Sequence, residues 1–502
     1  MSLPTRALAL LLAAASFACA SKVPTAPEVA PAAKPAPKDP AETPWRRASR
    51  TAREAYAAKD YVAYRASLLE LYELLSGHPD VVYKLAIAEA SLGHADAALQ
   101  WLATYADMGL SRDVLADADL ASLRALDAFK AVAARLASNA LPIGTSKIAF
   151  TLPNEELISE DIAYEPESHA FYVSSVRRRK ILRVSESGEV KDFIRDGQDQ
   201  VWSIFALALD PASHTLWATT AAVPQAGNFD SNDLGKTELL QYDLASHKLL
   251  KRYAPPTGAA SARGATKGEP EVHALTDMTL GLGGEVLVSD ARFGVLDVLA
   301  RSAGKAGSGP GKPLAPAAFA SSLETLAGTG AFISPQAPTA TADGARVLVP
   351  DYARGIAVVE RATGKATWLT HPRDVALAGI DGLYFASESP PVLLAIQNGT
   401  SPPRVARLYL DAALTKVERL EVVEQSTPNL GEPTHGVVVG DTFYFLANSG
   451  WDQLEDDGSV KPGGLREPPL IMRTPALSSP APALSAPTPA PAAPAPAPAP
   501  RP

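Results

Sequence analysis

A single cysteine among 502 residues excludes internal disulfides and thiolate metal clusters, so the folded parts are held together by packing alone. Long apolar runs are also missing, because the stretch from Ala7 to Ala15 falls far short of the roughly 20 residues a membrane-spanning helix needs. Basic charge is in deficit: 46 Lys and Arg stand against 55 Asp and Glu, a formal net charge of -9. That balance argues against the dominant positive footprint of nucleic-acid or anionic-membrane binding, and no nucleic-acid partner is expected. There is no G-x-S-x-G elbow, and no pair of histidines has metal spacing on a helix. GGLREP at Gly463 and GSGPGK at Gly307 lack the preceding strand and following helix that would aim amides at a phosphate. What remains is a 46% hydrophobic chain with 44 prolines, long enough for two or three domains.

The cysteine is placed informatively. Arg6 gives a short positive n-region, Ala7 to Ala15 an apolar core, and Ser16-Phe17-Ala18-Cys19 follows at once, the order of a signal peptide. The last four residues resemble the lipobox of bacterial lipoproteins. That resemblance implies cleavage before Cys19, acylation of its thiol and export to a lipid-anchored position. Ala20 and Ser21 lack the Asp linked with inner-membrane retention, so the outer membrane is expected, facing the periplasm or the cell surface. Residues 20–44 form a Pro/Ala-rich spacer and 474–502 a Pro/Ala-rich tail, both too poor in apolar surface to offset chain entropy.

From 45 to 140 the apolar positions take helical spacing with few glycines, which predicts a small all-α domain. Leu85, Ala86, Gly93, Ala98 and Leu102 resemble a tetratricopeptide unit, and Asp60, Tyr61 and Tyr64 the turn of a decayed one before it. Helix pairs of this kind need neighbours to bury their faces, so the domain is expected to pack against another body.

From 148 to 473 the texture is β: short alternating segments separated by Gly, Asp, Ser and Pro. A phrase recurs, with a polar residue, an apolar strand, a turn, and a second strand ending in small residues. It reads SEDIAYEPESHAFYVSS from Ser159, FALALDPASHTLWATT from Phe205 and TDMTLGLGGEVLVSD from Thr276. It returns as PQAPTATADGARVLVPD from Pro335, IDGLYFASESPPVLLAIQN from Ile380 and THGVVVGDTFYFLANS from Thr434. Aligned, the phrases place Glu160, Phe205, Thr276, Gln336, Asp381 and His435 in one slot, and successive differences of these numbers are 45, 71, 60, 45 and 54. Intervals of roughly 40 to 50 residues are those of four-stranded propeller blades. The longer ones contain Gly-, Ala- and Pro-rich interruptions at 227–237, 255–271 and 302–317. The fold predicted is mainly β, a six-bladed β-propeller preceded by a small all-α domain. The run Arg177 to Lys180 reads as a solvated turn within the first blade.

In a propeller the slot residues converge on the axis. The phrases resemble those of the gluconolactonase family, also called the regucalcin or senescence-marker family, whose six-bladed propellers hold a divalent cation, usually calcium, at that point. Glu160-Asp161-Ile162 stands where the family has E-G-P, and Thr276-Asp277, Gln336-Ala337 and Asp381-Gly382 where it has N-D, N-G and D-G. The resemblance implies Glu160, Gln336 and Asp381 as ligands of Ca2+, the Gln amide oxygen replacing that of Asn. It further implies Asp381 or Asp277 as proton acceptor, with His435 near the same axis to shuttle a proton or contact substrate. ANSGWD, from Ala447 to Asp452, resembles the closing-blade motif of the same group. Two functional classes stay open: a lipid-anchored scaffold that binds a small molecule or an envelope protein, and a calcium-dependent lactonase or esterase.

Overall fold

A computed structural model describes residues 43–478 apart from 257–272, 302–318, 328–330, 456 and 466. Cys19, the signal peptide, the spacer up to residue 42, most of the tail and most of the two later interruptions lie outside the described residues. No described helix is long and apolar enough to cross a membrane.

Each recurring phrase folds as the first two strands of a four-stranded antiparallel sheet, giving six blades. The first strands, Ser159–Glu165, Ser203–Asp210, Leu275–Leu280, Thr339–Ala340, Ile380–Glu388 and Gly436–Val439, touch their neighbours in a closed ring and so line the axis. Alternation between the faces of these strands buries Val, Leu, Ile and Phe in the layers between blades. The sixth blade has three strands of its own, the last of them Leu470–Pro475. Its fourth is Lys147–Thr151, which precedes the first phrase and pairs antiparallel with Leu470–Pro475.

The small polar residues that end the phrases act as latches on one face. Asp290 accepts from the backbone N–H groups of Ala274, Arg292 and Phe293 at 2.9 to 3.1 Å. Asp351 accepts from Ile333, Ser334 and Ala353 in the same manner. Gln397 donates to the carbonyls of Ala376 and Ala378 at 2.9 Å, and Asn448 accepts from Leu470 N–H. In each case one side chain ties the incoming loop or strand of a blade to a turn that would otherwise leave buried backbone groups unpaired.

The helical segment forms two antiparallel pairs and a closing helix: α1 Pro44–Ala57, α2 Tyr61–Leu74, α3 Pro79–Ser91, α4 Ala95–Asp107 and α5 Asp127–Ser138. Asp60 caps α2 by accepting from Ala63 N–H at 3.0 Å, and Gly93, at φ 81°, makes the turn between α3 and α4. Leu85, Ala86, Ala98 and Leu102 are fully buried between the helices, as their spacing predicts. The expected packing partner is the propeller itself. His371 contacts Ser76 O at 3.1 Å, Ser111 N–H donates to Ser401 O at 2.7 Å, and Gln425 donates to Asn139 O at 2.9 Å. Ala376 enters the core of the helices, and Ile333 packs against the first pair. Arg404, completely buried, donates from Nε to Gln397 Oε1 at 2.8 Å and from Nη1 to Met108 O at 3.0 Å. Ile333, His371 and Ala376 lie on the loops that lead to Gln336 and Asp381, and Ser401, Arg404 and Gln425 at the strand ends of blade 5, so the helices sit on the axial face.

The Arg177 to Lys180 run is not a wholly solvated turn. Lys180 opens the third strand of blade 1 and is buried, its ammonium paired with Glu155 at 2.6 Å and Asp192 at 3.1 Å. Arg177 bridges loops, donating to Gly458 O at 3.3 Å and Gln225 O at 3.5 Å. A run of like charges reads as solvent-facing until the acidic partners from elsewhere in the chain are known.

Candidate functional site

The slot residues reach the axis through irregularities in pairing. Register shifts fall between Ser159 and Ile162, Ile204 and Leu207, Leu275 and Asp277, and Ile380 and Gly382. The intervening residues are Glu160-Asp161, Phe205-Ala206, Thr276 and Asp381. A bulge releases a residue from the alternating pleat and re-aims its side chain, which is how four blades direct slot residues at one opening.

Glu160, Asp381 and His435 are brought together there, each offering a ligand atom within 4.8 Å of the others. Asp277 joins them: His435 Nε2 lies 2.7 Å from Asp277 Oδ1, both side chains being buried, although the carboxylate oxygen stands off the line of a good hydrogen bond. His435 Nδ1 is 3.0 Å from Glu160 O, and Thr434 donates to the same carbonyl at 2.8 Å. Asp161 has a different task. Its two oxygens accept from Ile162 and Leu207 N–H, both at 2.7 Å, stitching blade 1 to blade 2. Gln336 lies on the approach to blade 4, where its Nε2 donates to Ser334 Oγ at 2.9 Å, leaving Oε1 as its remaining polar atom. Phe205 packs beneath Trp451, rings parallel within 26°.

Burial pushes Asp381 up to about 6, with Asp277 and Asp161 adding to the rise against the opposing charge of His435. Burial also drives Glu160 well above the usual carboxylate range, reinforced by Asp381. Asp161 is likewise raised by burial to about 6. For His435 burial opposes the charge, but Asp277, Asp381 and Asp161 outweigh it and hold the imidazole well above its ordinary value. The site therefore concentrates acids around one cationic ring.

Several site residues carry no signal in the repeated phrase. Asn398 donates to Asp381 Oδ2 at 2.6 Å and accepts from the Tyr352 hydroxyl at 3.0 Å. Both stand just after the second strand of their blades, where alternation ends. Beside them Gly379, at φ 73°, crosses Gly399 so closely that a Cβ on Gly379 would lie 2.7 Å from the other backbone. The Asn398-Gly399 pair is thus a forced crossing next to a site carboxylate. Trp451, in the closing-blade motif, donates from its indole to Glu160 Oε2. Its loop continues over the face to Gly458, where a Cβ would fall 2.1 Å from Pro224 O. Glu432 is raised to about 8 by burial, with Asp452 and Asp381 nearby.

Among the described residues the donor set suits a hard divalent cation. Glu160 and Asp381 offer carboxylate oxygens, the donors calcium and magnesium prefer, and His435 a ring nitrogen, all close enough to share one ion.

Comparison with solved structures returns propellers. A streptogramin B lyase aligns with 66% of this chain and 97% of its own at 13% identity and a TM-score of 0.40. A luciferin-regenerating enzyme aligns over 66% and 95% at 12% and 0.38, and a protein described as a gluconolactonase over 65% and 89% at 13% and 0.38. The likeness is one of fold. No protein-family model matches the chain, and no curated protein matches it.

Proposed function

We propose that the protein is a lipid-anchored envelope binding protein whose propeller axis takes a divalent cation, calcium by its oxygen donors, as part of a ligand site. The observation that carries this is the meeting of Glu160, Asp381 and His435, with Asp277 Oδ1 2.7 Å from His435 Nε2. Glu160, Asp381 and the Gln336 amide would hold the ion. Trp451, Asn398 and Tyr352 fix the carboxylates from behind, and the helices and the loop carrying Trp451 form the surroundings of the opening.

Calorimetric titration of the exported protein with Ca2+ tests the reading. Asp381→Asn and Glu160→Gln are each expected to weaken binding by at least ~100-fold, about 2.7 kcal/mol, because each removes charge from a buried oxygen ligand. Absence of any binding heat in the unaltered protein would sink the proposal.

The second reading is hydrolysis of a small lactone or ester. It is favoured by Asp277 standing 2.7 Å from the His435 that meets Asp381 at the axis, an acid–imidazole pair able to move a proton. A bound cation would polarise a carbonyl. Asp381 or Asp277 would accept a proton from the water that adds to the carbonyl and return it to the leaving alkoxide as the C–O bond breaks, and His435 would orient Asp277. Metal-dependent turnover of aliphatic lactones or aryl esters, lost in Asp381→Asn with folding intact, would establish it over simple binding.

The anchor is tested separately. Cys19→Ser is expected to move the protein from the membrane to the soluble fraction, since stable attachment rests on the acyl chains. Continued partition with membranes would refute the lipid.

A further inference from the structure

We propose that a second site, away from the axis, binds a single neutral hexopyranose ring in the cleft between blades 1 and 2. The cleft encloses about 270 Å³ and is lined by Arg179, Gln200, Trp202, Asn228, Phe229 and Asp230, among others. That volume lies below the roughly 300 to 1,000 Å³ of pockets for drug-sized molecules, which matches one ring.

Three observations make this more than a surface dent. The first is backbone strain. Arg179 and Gln200, both lining the cleft, have φ of 46° and 58°, and Asp199 beside them 57°, left-handed conformations that non-glycine residues avoid. Such residues persist where the surroundings fix them, and they gather at sites. The second is a guanidinium in the wall: Arg179 lines the cleft, with Nη2 reaching Asp196 at 3.3 Å. Gly197 leaves room for this guanidinium, since a Cβ there would lie 2.7 Å from Nη2. The third is the character of the walls. Trp202 is fixed by donating its indole N–H to Asp233 Oδ2 at 3.1 Å, and Phe229 provides a further aromatic surface.

The chemistry of the occupant follows from the mixture. Arginine and aspartate line the same cleft, so a ligand of strong charge of either sign meets repulsion from one of them. Hydroxyl groups donate to carboxylates and amide oxygens and accept from guanidinium, which suits every polar group present. The apolar face of a pyranose matches an aromatic wall, and no other feature of the cleft asks for a larger or charged molecule.

Saturation-transfer NMR and calorimetry on the exported protein, with glucose, galactose and N-acetylglucosamine as neutral probes and glucuronate and glucosamine as charged ones, test this. At least one neutral sugar is expected to bind with Kd in the millimolar range, about -4 kcal/mol or tighter. Binding should weaken more than tenfold in Phe229→Ala and in Trp202→Ala. Arg179→Lys, which keeps the charge but loses the planar fork of donors, should weaken it as well. No neutral sugar binding at tens of millimolar, binding only of a charged sugar, or affinity unchanged in both aromatic variants would overturn the proposal.

Discussion

Arg404→Ala is expected to lower the unfolding free energy by about 3 to 5 kcal/mol and to loosen the helices from the propeller. Arg404 is completely buried at the junction, where it spans Gln397 Oε1 of blade 5 and Met108 O at the end of α4. Neither partner is a carboxylate. Burial pulls the guanidinium down to about 10, with Tyr105 opposing that fall. Truncation leaves two buried acceptors unpaired and a cavity in place of the side chain, and each orphaned acceptor alone costs roughly 1 to 3 kcal/mol. Gln397 also latches the loop of Ala376 and Ala378, so its displacement would reach the approach to Asp381. Urea unfolding should shift its midpoint downward, and limited proteolysis should begin to release residues 43–140. An unchanged midpoint would mean that the helices are held by Ala376, Ile333 and the backbone contacts alone.

Asp297→Asn should act in the opposite direction and depend on pH. Asp297 lies in the third strand of blade 3, is 1% exposed and has one oxygen bonded to Thr325 Oγ1 at 2.8 Å, while Oδ2 has no partner. Burial raises it to about 7, with Asp290 adding to the rise and Thr325 and His273 opposing it. Because the folded state holds this proton more tightly than the unfolded chain, stability is greatest below the ordinary aspartate range. It falls as pH rises through the interval up to about 7. The stability lost above neutrality is on the order of 4 kcal/mol. The amide cannot ionise, so Asp297→Asn should flatten the decline between pH 4 and 7 and raise the melting temperature at pH 8, while leaving stability at pH 4 nearly unchanged. Thermal unfolding at the three pH values checks it, and an equal effect at all of them would remove Asp297 as the cause.

The fold was legible because each blade repeats one phrase whose alternation is a period-two signal, strong enough to number the blades. The convergence of Glu160, Asp381 and His435 could be read from the same alignment. What could not be read was how they converge, since a bulge adds a residue that alternation does not register. Tyr352 escaped for a related reason, since it stands in a turn where no periodicity marks one residue above its neighbours, while Asn398 and Trp451 lie in quoted motifs that gave no sign of their roles. Lys180 shows the converse error. Its place in a basic run suggested solvent, but Glu155 and Asp192 arrive from other strands and allow it to be buried.

The strand Lys147–Thr151 gives the ring a temporal order. Its partner Leu470–Pro475 lies more than 300 residues further along the chain, so blade 6 stays incomplete until almost the whole propeller has been made. In equilibrium terms this long separation matters little, since each doubling of loop length adds only about 0.6 kcal/mol. In kinetic terms it makes closure of the ring a late event, with the edges of Lys147–Thr151 and of the unfinished sixth blade exposed meanwhile as templates for mispairing. The helices precede in the chain the blades 4 and 5 on which they rest, so their exposed faces are covered only once those blades are in place.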